Sequence, residues 1–146
     1  MRSLVIVACT LAAALALAAP AMSSSVADRA TVTVHGSTFG RILFDGRGHA
    51  LYAFTRDRAG SSACSGACAR AWPPYVVRMR PKAGTGATAS LLGTIRRGDG
   101  RRQVTYAGKP LYYYVGDRQP FQVLCQDVVE FGGRWLVVRP TGATVR

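Results

Sequence analysis

The chain reads as an all-β domain, mainly antiparallel, in which one aromatic β-hairpin unit is used twice. Three observations carry that expectation. The hexapeptide Tyr52-Ala53-Phe54-Thr55-Arg56-Asp57 recurs as Tyr112-Tyr113-Tyr114-Val115-Gly116-Asp117, and in both places a Gly-containing turn leads into Leu-Tyr. Short runs of β-branched and aromatic residues follow one another with turn residues between them, the spacing of consecutive antiparallel strands. Helical periodicity is almost absent, apart from a short helical turn expected near Ala67 to Trp72 and stopped by Pro73-Pro74. The two pseudo-repeats occupy about residues 36–80 and 91–142 of one compact domain, 31–146, and are expected to pack about a pseudo-twofold axis. A single hairpin unit of this size is too small to hold itself together.

The chain opens with Met1-Arg2-Ser3 and an apolar run from Leu4 to Ala19, the charged start and apolar core of a secretory signal peptide. Small residues at Ala19-Pro20-Ala21 place the end of that segment at 21, and Ser25-Val26-Ala27 offers a later site at 27. Residues 22–30 then form a flexible, Ser-rich leader. The apolar run falls short of the roughly 20 residues that span a bilayer, so removal and export are expected, with no transmembrane span in the mature form. Cys9 has too little apolar sequence before it to serve as a lipid-attachment site, and lipid anchoring is not expected.

In the first repeat, Thr31 to Val34 and Arg41 to Phe44 have strand composition, Asp45-Gly46-Arg47-Gly48 is a turn, and Ala50 to Thr55 is a third strand. Alternation puts Leu51, Ala53 and Thr55 on one face and Tyr52 and Phe54 on the other. Asp57 to Pro74 is small, polar and turn-rich. Tyr75 to Met79 returns to strand character, and Pro81 to Ala87 reads as the linker between repeats. The second repeat begins near Leu91 to Ile95 and turns at Gly98-Asp99-Gly100. It continues through Gln103 to Tyr106, turns again at Ala107 to Pro110, and predicts a strand over Leu111 to Val115. Val123 to Phe131 and Arg134 to Arg139 flank Gly132-Gly133, a hairpin signal.

Charge bounds the partners. The formal net charge is +12, or +11 once Arg2 is removed, and the only lysines are Lys82 and Lys109. A cationic exported surface suits an anionic envelope polymer or surface, contacted through arginines. No recognition motif points to a specific nucleic acid. Arg96-Arg97 and Arg101-Arg102 flank Gly98-Asp99-Gly100, a pattern expected at a hairpin or loop tip.

Two sets of residues could carry chemistry. The repeated Tyr52, Phe54, Asp57 and Tyr112, Tyr114, Asp117, with one late tryptophan per repeat, Trp72 and Trp135, read first as architecture. The tyrosines fill core volume and find partners for their hydroxyls, while each strand-end aspartate accepts N–H groups of the following loop. The alternative brings Asp57 and Asp117 together at the axis as a cation or ligand site. The second set is Cys64, Cys68 and Cys125. An exported protein should oxidise two of them, closing either a small Cys64–Cys68 loop or a long-range bridge to Cys125. The same three sulfurs could instead form a soft-metal (copper or zinc) or thiol-redox site, with His35, His49 or Met79 as a fourth ligand, although Cys-x-x-x-Cys is neither the common zinc nor the thioredoxin spacing. No hydrolase elbow, zinc-protease helix or phosphate loop is present, so no enzyme and no cofactor are expected.

The pattern Leu-Tyr-x-aromatic-x-x-Asp, with Cys64 to Ala69, Trp72-Pro73-Pro74 and Phe131 to Trp135, resembles a bacterial secreted repeat family described as predicted lipoproteins with a Tyr-x-aromatic-x-x-Asp motif. That resemblance covers about Gly40 to Gly142. It implies an exported or surface-anchored protein and brings no assigned activity. The sequence is therefore read as an exported cell-envelope protein, a binding or structural module, with the thiol-redox or soft-metal protein as its alternative.

Overall fold

The structure is a computed structural model that describes residues 31–146. The signal segment, its two cleavage sites, the leader and Cys9 lie outside the described residues. Ten strands, one short α-helix and one 3-10 turn follow in order: β1 (Thr31–Ser37), β2 (Gly40–Asp45), β3 (Tyr52–Phe54), α1 (Ala67–Ala71), β4 (Val76–Val77), β5 (Lys82–Ala83), the 3-10 turn (Ala89–Leu91), β6 (Leu92–Arg96), β7 (Arg102–Tyr106), β8 (Lys109–Pro110), β9 (Val128–Glu130) and β10 (Gly133–Val137). They form three small sheets, ordered β2-β1-β5, β3-β10-β9 and β4-β7-β6, with β8 on the edge of β7. All pairings are antiparallel except β1 with β5. The expected all-β, mainly antiparallel class is what the chain adopts.

The repeat is visible in the hydrogen bonding. β1–β2 and β6–β7 are corresponding hairpins, and Leu43 N–H donates to Val138 O as Val104 N–H donates to Tyr75 O. Leu51 N–H donates to Leu43 O, and Leu111 N–H to Val104 O. The late segment of each repeat then crosses to the other. β10 of the second repeat pairs with β3 of the first, Trp135 opposite Phe54 and Val137 opposite Tyr52. Segment 71–75 of the first repeat bonds to 111–115 of the second through Tyr75 N–H to Leu111 O, Tyr113 N–H to Pro73 O and Val115 N–H to Ala71 O. At the pseudo-axis, Tyr52 and Tyr112 exchange both backbone hydrogen bonds, each at 2.9 Å.

Several expected strands are corrected by this exchange. Leu111 to Val115 is not a strand. Its backbone bonds go to Val104 and Tyr75 at Leu111, to Tyr52 at Tyr112 and to Pro73 and Ala71 beyond, so it passes between segments instead of running along one strand. The Tyr75 to Met79 run keeps only β4, and Val123 to Phe131 only β9. Within the turn Ala107 to Pro110, the last two residues are β8. The expected linker Pro81 to Ala87 contains β5, which lies parallel to β1 with Val32 opposite Ala83, so the connection is part of a sheet.

The core follows the predicted alternation. Tyr52 and Phe54 join Trp72, Tyr112 and Trp135 on one side, while Leu51 and Ala53 join Val104, Tyr106 and Leu111 on the other. β3 is thus buried on both faces, which explains why all three of its residues are at most 4% exposed. Among the described residues no helix is long and apolar enough to cross a membrane.

Candidate functional site

Four rings stack through the centre of the molecule in alternation between the repeats: Phe54, Trp135, Trp72 and Tyr114. Their centroids are 4.2, 4.1 and 4.8 Å apart, and the two indoles lie within 3° of parallel. Tyr52 meets Trp72 edge-on at 5.2 Å, and Tyr112 meets Trp135 edge-on at 5.1 Å. Close approach is built into the glycines. A Cβ on Gly133 would lie 2.6 Å from the Phe54 ring, and one on Gly116 would collide with the ring of Tyr114.

Around this stack the repeated tyrosines and aspartates are crossed. Tyr52 donates to Asp117 Oδ2 at 2.6 Å, and Tyr112 donates to Asp57 Oδ2 at 2.7 Å. The other oxygen of each carboxylate accepts a backbone N–H from its own loop, Ala63 on Asp57 at 2.7 Å and Leu124 on Asp117 at 3.0 Å. Burying an aromatic ring is worth roughly 4–6 kcal/mol by area. One hydrogen bond to a charged group is worth roughly 1.5–3 kcal/mol. Ring burial therefore drives closure, and the crossed bonds select which tyrosine meets which aspartate. Burial pushes both tyrosines above their ordinary range, Tyr52 further by its bond to Asp117. Burial also raises both carboxyls, against the opposing hydrogen bonds that favour their ionised forms. Asp57 and Asp117 are thus each held by the other repeat's tyrosine.

Cys64 and Cys68 form a disulfide, and Cys125 is the free cysteine among the described residues. Of the three pairings open from the sequence, the small loop is the one formed. Cys125 follows the residue whose N–H caps Asp117, as Cys64 follows the one that caps Asp57, so the two sulfurs hold matching places in the repeats. The Cys125 thiol is half-buried beside the Tyr114 hydroxyl, and burial pushes its pKa up. His35 is exposed on β1, edge-on to Phe44 and Phe121, and Met79 is exposed. Among the described residues no three His, Cys, Asp or Glu side chains group as a metal site would need.

Arg97 is a buried cation at the expected hairpin tip. The hairpin turn is there, but Arg97 is only 8% exposed. Its guanidinium donates to Gln103 Oε1 at 2.6 Å, to Cys64 O at 2.6 Å and to Ser62 Oγ at 2.9 Å. Ser62 Oγ in turn lies 2.6 Å from the Tyr112 hydroxyl. A buried cation is costly unless hydrogen-bonded, and the cysteine loop supplies two of its acceptors. Arg101 pairs with Asp99 at the exposed tip, at 2.7 Å.

The other end of the crossed pair opens into a recess of about 300 Å³ lined by Asp45, Arg47, His49, Ala50, Tyr113, Tyr114 and Asp117. Asp45 Oδ1 accepts the N–H groups of Arg47 and His49, the ordinary behaviour of an aspartate opening a turn. Its Oδ2 accepts the Tyr113 hydroxyl at 3.1 Å and faces His49 Nδ1 at 3.4 Å. Burial, with Tyr75 and Asp45 nearby, pushes Tyr113 well above its ordinary range. From sequence, Asp45 was only a turn residue, His49 a turn histidine and Arg97 one of many cations. The one usable signal was Asp45 and His49 four apart around two glycines.

A family model described as a secreted repeat of unknown function matches residues 33–75 and 93–139, together more than half of the chain. No curated protein and no solved structure is significantly similar to it.

Proposed function

The chain belongs to the family of secreted repeats of unknown function, and from that premise we propose that it is an extracytoplasmic binding module, without catalysis, whose ligand enters the recess over Asp45, His49, Tyr113, Tyr114 and Asp117. The observation that carries this reading is that two carboxylates no more than 7% exposed both line one open recess. Pockets with a few convergent polar groups and aromatic walls are the usual form of a small-ligand site. The buried disulfide is in keeping with an oxidising compartment. The exposed arginines suit retention at an anionic envelope surface, with no lipid anchor and no cofactor.

Isotope-labelled oxidised protein, screened by NMR against small polar metabolites, tests the reading. Shifts concentrated on His49, Tyr113 and Tyr114 are expected. A screen in which every shift falls elsewhere, or none occurs, overturns it. The thiol-redox or soft-metal alternative draws on Cys64, Cys68 and Cys125, two of which are joined in the oxidised protein. It gains support if exported protein carries three alkylatable cysteines, or loses thiol protection on adding a chelator.

A further inference from the structure

Resting on the binding reading, we propose that the recess takes an organic cation, a ligand carrying an ammonium or guanidinium group. The chain has 19 Lys and Arg but only 7 Asp and Glu, so buried acids are scarce, yet two of them line this recess.

The two repeats answer their motif carboxylates differently. Asp57 is linked through Tyr112 and Ser62 to the buried guanidinium of Arg97, whose positive charge acts on it. The protein thus supplies its own guanidinium to the first repeat's aspartate. Asp117 receives only the Tyr52 hydroxyl and the Leu124 N–H, and among the described residues no arginine or lysine is bonded to it. An ionised carboxylate has about four acceptor sites, so Asp117 retains capacity toward the recess, whereas Asp45, already met by two N–H groups, the Tyr113 hydroxyl and His49, contributes its charge. Tyr113 and Tyr114 add aromatic walls, the partners that cations favour. Arg47, exposed, is the opposing charge among the lining residues.

The test is calorimetric titration of the full oxidised exported chain with agmatine and cadaverine, with glutarate and glycerol as anionic and neutral controls, alongside NMR mapping of the same probes. Saturable binding of the two amines is expected, with shifts on His49, Tyr113 and Tyr114. Asp45→Asn and Asp117→Asn, which keep the side-chain shape, should each weaken it about tenfold or more. Because Asp117 also caps a loop, the exposed Arg47→Gln provides a variant that leaves the fold alone, and it should tighten amine binding about twofold to fivefold. If glutarate or glycerol shifts the recess and the amines do not, the cation assignment fails and the binding reading stands. If no probe moves the recess residues, both fail. Amine binding unchanged in all three variants also overturns the assignment.

Discussion

Removing the Tyr52 hydroxyl with Tyr52→Phe should cost more than the matching Tyr112→Phe, because the two aspartates they serve are not equally supported. Without Tyr52 Oη, Asp117 keeps a single partner, the Leu124 N–H, at a site 6% exposed. An ionised carboxylate left so poorly satisfied should cost about 2–3 kcal/mol. Asp57 loses less. It is half-buried, keeps the Ala63 N–H at 2.7 Å, and still feels the charge of Arg97. Tyr112 Oη also bonds Ser62 Oγ, but Ser62 keeps Arg97 as a partner, so about 1–1.5 kcal/mol is expected there. Urea unfolding followed by tryptophan fluorescence is the assay, since both indoles sit in the central stack. With an m-value of about 1–1.5 kcal/mol/M for a domain of this size, Tyr52→Phe should lower the midpoint by about 1.5–2 M and Tyr112→Phe by about 1 M. Equal losses, or losses below about 0.5 kcal/mol in both, would refute the argument that crossed hydrogen bonds with unequal support hold the repeats in register.

Stability should also respond to pH through the same carboxyls. Burial raises the pKa of Asp57 and Asp117 in the folded chain, so the folded state holds those protons more tightly than the unfolded state. Their contribution is complete below the ordinary aspartate pKa and is lost as pH rises through the raised folded values. Asp117→Asn should flatten that part of the profile on the alkaline side of the ordinary aspartate pKa, measured as the change in unfolding free energy against wild type; an unchanged slope would contradict the assignment. Opening the disulfide with reductant, or with Cys64→Ser and Cys68→Ser together, should cost about 2 kcal/mol from loop closure, plus what Arg97 loses when Cys64 O moves, read from urea midpoints. In native oxidised protein Cys125 should be the cysteine that alkylates, slowly at neutral pH and faster as pH rises, because burial holds its thiol protonated; peptide mapping checks it. Retention on an anionic polymer should fall steeply between about 50 and 300 mM salt, as exposed-charge attraction does; retention independent of salt would remove the arginine surface from the account.

Much of the architecture was legible because it rests on local signals. Asp45 to Gly48 and Gly132-Gly133 are turns by residue type, and the alternation in Leu51 to Phe54 assigns faces correctly because a strand buried on both sides keeps its period of two. What the sequence did not carry is long-range. That 71–75 pairs with 111–115, while β10 pairs with β3, depends on contacts about 40 to 80 residues apart. Neither segment announces its partner, and Leu111 to Val115 looked like a strand because its composition is that of one. The disulfide partner, likewise, was open among three sulfurs until the loop closed between Cys64 and Cys68. The burial of Arg97 at the expected hairpin tip is not local either. A cation beside a glycine turn belongs in water unless acceptors arrive from elsewhere, and here Ser62 and Cys64 arrive from the other repeat.

The exchange of late segments has a consequence for how such a chain is assembled. A one-copy version would lack the strand that covers its own aromatic motif and could complete itself only by pairing with a second molecule, so its folding would follow concentration. Joining the copies in one chain replaces that bimolecular step with an effective concentration in the millimolar range for a short tether. Freed from having to be identical, the halves have come apart in detail. One spends its loop on a disulfide that receives the other's guanidinium, the other on a hairpin, and the open recess lies between residues of both. The repeated exchange made the scaffold, and the recess lies where the two halves differ in what they place around it.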